Sequence, residues 1–432
     1  MDLSHKIQNR SATVGVIGLG YVGLPLALEF IKAGYCVIGV DTSRAKIKKL
    51  ESKKSYITDI SDEDLEQAFA TGRLRVSQEH ELLKEADSIS ICVPTPLRKT
   101  KEPDISFIVS ATRKLSRVLR SQQLIVLEST TYPGTTEEVV LPELEKGGFK
   151  VGQDFYLAFS PERIDPGNPH FHLKNTPKII GGHTEACTKM AVSLYSSIVD
   201  RVITVSSPKA AEMVKLLENT FRAVNIGLVN EMAIMADRLN LDVWEIIDAA
   251  STKPFGFMPF YPGPGLGGHC IPVDPHYLSW KLKTLNYTPR FIDLAEEINL
   301  RMPVLVVDKI AFALNRFKKA INGSKILILG VSYKKDVGDV RESPALDILE
   351  LLQQRGAAIF YEDTYCPHLE LHGKSHDSIA LAYDRFCEFD CVAMITNHSY
   401  YDISKIVECA PIVVDCRNAT KAIKNKTKII KI

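Results

Sequence analysis

The stretch Gly18-Leu19-Gly20-Tyr21-Val22-Gly23 limits what this chain can fold into more than any other. It follows Thr13-Val14-Gly15-Val16-Ile17, a β-branched apolar run that predicts a strand. It precedes Leu24, Leu28, Phe30 and Ile31 at helical spacing, closed by Gly34. A strand, a tight turn and a helix in that order are the setting a dinucleotide fingerprint requires. The first glycine makes the turn, the second lets backbone N–H groups approach a pyrophosphate, and the third allows close helix–strand packing. Asp41 lies 23 residues beyond Gly18, after the run Cys36–Val40, where a carboxylate accepts hydrogen bonds from ribose hydroxyls. An acidic residue there favours NAD over NADP, whose extra phosphate it repels.

Further apolar runs at 88–93, 124–127, 156–159 and 178–180 alternate with helical stretches, the pattern of a mostly parallel, doubly wound sheet. From Pro208 to Ala250 apolar residues recur at helical spacing without a Gly-Pro cluster, which predicts one long helix. Residues 254–275 are crowded with Gly and Pro and read as an irregular loop; helical pattern resumes over 291–317. The chain then begins again, with strands at 325–329, 358–361, 391–395 and 412–414 and a helix over 345–355. The expected fold is α/β, with two Rossmann-like doubly wound domains joined by a long central helix. The expected boundaries are 1–205 for an N-terminal NAD-binding domain, 206–318 for a central helical region and 319–432 for a C-terminal α/β domain. A chain of 432 residues also exceeds what one hydrophobic core organises.

Composition excludes several classes. Lys and Arg total 53 against 52 for Asp and Glu, so no net field is available to hold a nucleic acid. No apolar run approaches the ~20 residues of a membrane span, and the first ten residues lack the pattern of a signal peptide. Nine cysteines spread over a long chain point to reduced thiols and a cytoplasmic protein.

Gly265-Leu-Gly-Gly-His-Cys270-Ile-Pro-Val-Asp274 is the most unusual stretch for chemistry. Its glycines let backbone approach a ligand and present a thiol on a sharp bend, with a carboxylate four residues on to handle a proton or a water. A cysteine more often packs as a small hydrophobe, and that is the expectation for the other eight. Cys387 and Cys391, with His398 downstream, lack a second ligand pair, so no metal is expected. Lys215 and Asn219 sit at i and i+4 on one helical face; spacing alone fits a solvated face as well as a pocket. Lys334 and Arg341 fall in a charged loop after the first C-terminal strand, at the edge where open α/β sheets bind ligands and where cations suit phosphates.

Seven segments resemble, in order and nearly end to end, the nucleotide-sugar 6-dehydrogenases of the UDP-glucose/GDP-mannose dehydrogenase family. They are G-L-G-Y-V-G (18–23), V-P-T-P (93–96), E-S-T-T-Y-P-G-T-T (128–136), S-P-E-R (160–163), K-L-L-E-N (215–219), G-P-G-L-G-G-H-C-I-P-V-D-P (263–275) and Y-K-K-D-V-G-D-V-R-E-S-P (333–344). The resemblance implies oxidation of a sugar C6 alcohol to a carboxylate with two NAD⁺. Cys270 is then the nucleophile, Lys215 and Asn219 stabilise the oxyanion, Asp274 assists water, and Thr130 and Glu162 order water and protons. It places cofactor contacts at Gly18, Gly20, Tyr21, Val22, Gly23, Asp41, Lys46, Thr95, Thr130 and Arg341. Contacts to a UDP-sugar fall at Glu162, Arg163, Lys215, Asn219, Gly267 and Lys334. It further implies a homodimer or higher oligomer built on the central helix.

The loop 251–270 and the segment S-P-E-R-I-D-P-G-N-P resemble members acting on UDP-N-acetylglucosamine for surface polysaccharide synthesis. His269 and Pro166 stand where glucose-specific members carry a small residue and a second glutamate. UDP-N-acetylmannosamine, UDP-N-acetylgalactosamine and UDP-glucose are the alternative substrates. From other classes, a two-electron hydroxy-acid dehydrogenase needs no covalent cysteine, and a non-catalytic NAD and UDP-sugar-binding regulator needs no reactive residues.

Overall fold

The computed structural model describes residues 2–432 other than Thr58, Lys99, Pro166, Gly167, Pro169, His269 and His372; the expectations on Pro166 and His269 therefore lie outside the described residues. Contacts divide the chain into two units, Met1–Glu218 with His276–Tyr287, and Asn219–Pro275 with Thr288–Ile432.

The first unit is built on eight strands: β1 (Thr13–Ile17), β2 (Cys36–Val40), β3 (Leu74–Ser77), β4 (Ser88–Ile91), β5 (Leu124–Leu127), β6 (Tyr156–Phe159), β7 (Lys178–Gly182) and β8 (Val202–Thr204). Their order is β3-β2-β1-β4-β5-β6-β7-β8, which contains the 3-2-1-4-5-6 order of dinucleotide-binding sheets. Pairing is parallel except between β6 and β7, where Phe159 faces Gly181. Central runs such as β5, Leu-Ile-Val-Leu, are apolar throughout because both faces are covered. Leu124 and Val126 join the core on one face, and Ile125 and Leu127 join the core on the other. Each such side chain, fully buried, contributes about 1.5–3 kcal/mol. β3 and β8 escape the sequence reading because they are short and polar-flecked (Leu-Arg-Val-Ser and Val-Ile-Thr).

The second unit holds β9 (Lys325–Leu329), β10 (Ala358–Glu362), the hairpin β11 (His368–Leu371) and β12 (Lys374–Asp377), then β13 (Cys391–Met394), β14 (Val413–Asp415) and β15 (Ile429–Lys431). Five of these form a parallel sheet in the order β10-β9-β13-β14-β15, the other common doubly wound order. Ile326 and Ile328 face one core, Leu327 and Leu329 the other. Cys391 is buried in β13, as expected of a packing residue, whereas Cys36 at the start of β2 and Cys387, for which the same was expected, are exposed.

The single helix expected over 208–250 is two, Pro208–Arg238 and Val243–Ala250. Asn240 adopts φ +55°, a conformation asparagine tolerates, and the Asp242 carboxylate caps the new helix by accepting from the Trp244 N–H at 2.9 Å. A helix at Asp274–Lys283, not expected from the sequence, follows the Gly- and Pro-rich loop.

Candidate active site

In the first unit, parallel pairing brings the carboxyl ends of β1, β2, β4, β5 and β6 to one edge. Gly18 turns the chain there at φ +92°, and its N–H donates to the Val40 carbonyl at 2.7 Å. A Cβ on Gly18 would stand 2.5 Å from the Cys92 carbonyl oxygen, and one on Gly23 1.9 Å from the Gly18 oxygen. Over Gly20 a Cβ would meet nothing within 4 Å. The helix Gly23–Lys32 starts at Val22 with no side-chain cap, so its positive end suits an anion. Asp41, 7% exposed, is already aimed: Oδ2 accepts from the Leu19 N–H at 2.9 Å and Oδ1 from the Ser43 N–H at 2.8 Å. Lys46 pairs with the same carboxylate at 3.1 Å. Tyr56 donates its hydroxyl to the Leu19 carbonyl at 2.6 Å; burial and the Asp41 charge push that phenol up. Tyr21 is exposed, and Thr95, just past β4, is fixed by its carbonyl accepting from Tyr277 Oη at 2.9 Å. A tight turn, an open glycine, an uncapped helix start and a pre-aimed carboxylate fit a dinucleotide.

Farther along the edge, Glu128 directly follows β5, then Ser129 and half-buried Thr130. The Ser129 hydroxyl donates to the Val93 carbonyl at 2.8 Å. The Y-P-G-T-T turn is fastened by fully buried Glu212, which accepts from the N–H groups of Gly134 at 2.5 Å and Thr136 at 2.9 Å. Burial, outweighing those bonds, raises the Glu212 carboxyl. Glu162, after β6, accepts from the N–H groups of Arg163 and Ile164, each at 2.7 Å, and faces Lys178 at 3.3 Å. Burial pushes its carboxyl up, but Lys178, the two N–H groups and Lys215 outweigh this and hold it below the usual glutamate value. Arg163 is committed inside the protein, to Glu218 at 2.6 Å and to the Pro177 carbonyl at 2.6 Å.

In the second unit, Cys270 is half-buried and its carbonyl accepts from the N–H groups of Val273 at 3.1 Å and Asp274 at 2.8 Å, a turn that opens the helix Asp274–Lys283. The Asn219 amide donates to the Asp274 carboxylate, both side chains buried, so two of the expected residues meet directly. The glycines before the cysteine are packed on the charged loop after β9. A Cβ on Gly267 would stand 2.6 Å from Tyr333 Cβ, and one on Gly268 2.9 Å from the Tyr333 ring. The Gly268 N–H donates to the Arg341 carbonyl at 3.0 Å. Lys334 is half-buried, whereas Arg341 is exposed and paired with Asp339 at 2.5 Å.

Sequence reasoning missed the residues behind these positions: Glu128, Lys178, Tyr195 and Glu212 in the first unit, Asp363 and His398 in the second. Glu128 had a signal, a carboxylate closing an otherwise apolar strand. Lys178 had one too, a lone cation opening the run Lys-Ile-Ile-Gly-Gly.

Three family models match in order: the "NAD binding domain" of the UDP-glucose/GDP-mannose dehydrogenase family over residues 12–199, its "central domain" over 209–301 and its "UDP binding domain" over 327–422. The chain belongs to the UDP-glucose/GDP-mannose dehydrogenase family. It is an oxidoreductase of the UDP-sugar dehydrogenase kind and uses NAD. Among family members, a UDP-N-acetyl-D-glucosamine 6-dehydrogenase of Salmonella typhi is 35% identical over 392 residues, 90% of each chain. A UDP-N-acetyl-D-mannosamine dehydrogenase of Pyrococcus horikoshii is 35% identical over 94% of this chain and 96% of its own. A solved structure of a UDP-D-ManNAc dehydrogenase from Pyrococcus horikoshii superposes with TM-score 0.88 at 33% identity, covering 97% of this chain and 98% of that one. Among the described residues no helix is long and apolar enough to cross a membrane, and no group of three His, Cys, Asp or Glu could hold a metal ion.

Proposed function

We propose that this enzyme oxidises the C6 alcohol of a UDP-N-acetylhexosamine, UDP-N-acetylglucosamine first, to the uronic acid in four electrons. The observation that carries the reading is the Cys270 loop, a half-buried thiol one turn ahead of Asp274, whose carboxylate is held by the Asn219 amide. NAD⁺, when bound in the Gly18–Gly23 cradle, accepts a hydride from C6 in each of two oxidations. The Cys270 sulfur adds to the C6 aldehyde carbon, holding it first as a thiohemiacetal and then as a thioester. Water breaks the S–C bond, the thiolate leaves, and the proton of the water passes to a carboxylate, Asp274 or Glu162. Asn219 fixes Asp274 for that task, and Lys215, one helical turn from Asn219, supplies positive charge to the C6 oxyanion. Thr130 orders the water. Arg163, Gly267 and Lys334 serve the UDP-sugar, and Lys46, Thr95 and Arg341 the cofactor; Arg163 does so through its backbone, its guanidinium being engaged with Glu218.

The substrate choice rests on the similarity to the Salmonella typhi enzyme, while the Pyrococcus horikoshii relative keeps UDP-N-acetylmannosamine as the second reading. The exposed row Leu217, Phe221, Leu228, Met232, Met235 and Leu239 on and just past the helix Pro208–Arg238 supports a homodimer, and the enzyme works in the cytoplasm. The test is NADH release with each UDP-sugar and the product mass. Two NADH per acid with UDP-N-acetylglucosamine are expected, and Cys270→Ala lowers acid formation by about 10³-fold or more. Acid from a different sugar only would replace the substrate assignment, and full turnover by Cys270→Ala would remove the covalent step.

A further inference from the structure

Among the described residues Lys178 is the one buried Lys or Arg, with a side chain 5% exposed. Its ammonium lies 2.6 Å from Glu128 and 3.3 Å from Glu162, so one positive charge is shared by two carboxylates. The antiparallel step between β6 and β7 puts it there. With Phe159 opposite Gly181, the first residue of β7 returns to the carboxyl edge of β6, beside Glu162. The far carboxylate is itself tied down. Tyr195 donates its hydroxyl to Glu128, Ser90 meets that hydroxyl at 3.0 Å, and the Tyr195 ring lies 5.6 Å from the Lys178 ammonium. Glu162 is the member of the cluster held by backbone, through the Arg163 and Ile164 N–H groups, and the Lys215 charge also reaches it.

From this geometry we propose that Lys178 is a positioning residue that holds Glu162 ionised and in place as a proton acceptor of the reaction, and that Glu128 sets how much of the Lys178 charge Glu162 receives. The proposal rests on the reaction assigned above and deepens the role of Glu162. A carboxylate buried beside an ammonium loses part of what keeps it charged when that ammonium is removed, and a second carboxylate on the same ammonium restores part of its basicity. The groups facing this cluster are the Cys92 thiol beyond β4, Glu128 at the end of β5, Tyr195 on its helix, and Lys215 with the Arg163–Glu218 pair on the side of the helix Pro208–Arg238. Burial pushes Cys92 and Tyr195 up, so both stay neutral as Glu162 titrates.

The test is a pair of substitutions with opposite signs. In the resting protein, the Glu162 carboxyl is titrated by ¹³C NMR of glutamate-labelled enzyme, with Glu162→Gln identifying the signal. Lys178→Met is expected to raise the midpoint by about one unit or more and Glu128→Gln to lower it, with Lys178→Arg close to wild type. The acid limb of the kcat profile follows in the same directions, while NAD⁺ affinity stays within about twofold. A scaffold role alone would lower thermal stability and leave both midpoints where they were. Midpoints that do not move, or that move the same way in Lys178→Met and Glu128→Gln, overturn the proposal. If Lys178→Met does not fold, Glu128→Gln decides alone, a downward shift supporting the proposal and any other result overturning it. The titration needs no turnover, so an inactive wild type sinks the reaction assignment, whereas an active enzyme with an unmoved Glu162 sinks only this inference.

Discussion

The first crossings of the two sheets are built to one plan and put to different uses. After β1, Gly18 at φ +92° donates to the Val40 carbonyl, and Asp41 at the end of β2 accepts from the Leu19 N–H. After β9, Gly330 at φ +75° donates to the Glu362 carbonyl at 2.9 Å, and Asp363 beyond β10 accepts from the N–H groups of Val331 at 2.8 Å and Ser332 at 3.0 Å. Both glycines press against a carbonyl beyond the neighbouring strand, Cys92 in one case and Thr396 in the other. The carboxylates part company at the surface. Asp41 keeps 7% of its surface exposed and pairs with half-buried Lys46. Asp363 is sealed, bonded also to the Ser332 hydroxyl at 3.1 Å and to His398 Nε2 at 3.0 Å. His398 Nδ1 accepts from the Asp336 N–H at 2.9 Å, and Ser399 donates its N–H to the Asp336 carboxylate at 2.7 Å. The same acidic position thus holds the glycine turn beside Leu19 in one sheet and, in the other, pins the loop that carries Lys334 and Arg341.

If that contrast is right, Asp363→Ala strands two amide N–H groups and an imidazole and costs the second unit about 3–5 kcal/mol, read by chemical denaturation, with NAD⁺ affinity retained. A loss under about 1 kcal/mol would dissolve the distinction. Gly18→Ala and Gly330→Ala should both destabilise, by about 2–4 kcal/mol, since each adds strain and a clash with a carbonyl; only Gly18→Ala should also abolish NAD⁺ binding by calorimetry. Asp41→Asn is expected to leave stability within about 1 kcal/mol and weaken NAD⁺ about tenfold, about 1.4 kcal/mol. Equal NAD⁺ affinity would remove Asp41 from the ribose. The smallest effect is on pH. Burial pushes the Asp363 carboxyl up, but His398 and the two N–H groups hold it below the usual aspartate value. A depressed folded value means stability that is full above the unfolded pKa of about 3.9 and fades as pH falls through the folded one. The second unit should therefore weaken below about pH 4, and Asp363→Asn should flatten that limb.

The strands that sequence exposes are those buried on both faces. Leu124–Leu127 and Ile326–Leu329 are continuous apolar runs because no position alternates outward, and the glycine fingerprint is legible because its constraints are local. Short strands such as Leu74–Ser77 carry too few residues to show a period. The helix ending at Arg238 extended too far in the sequence reading because Asn240 and Asp242 act through backbone conformation and capping, which periodicity does not register. Cys270, Asp274, Lys215 and Glu162 were visible as motifs. The partners that orient them, Lys178 on Glu162 and Tyr333 under the glycines, were not, since each lies well outside its target's motif in sequence, Lys178 by 16 residues and Tyr333 by more than sixty, and meets it only through the fold.

The meeting of Gly267 and Gly268 with Tyr333 makes two distant stretches of chain hereditary partners. A ring occupies the volume that side chains at 267 and 268 would need, so neither stretch is free to change alone. In a library randomised at 267, 268 and 333 together, survivors that gain bulk in the cysteine loop should be those that shed it at 333, and the thiol's lineage would be written sixty-odd residues downstream of it.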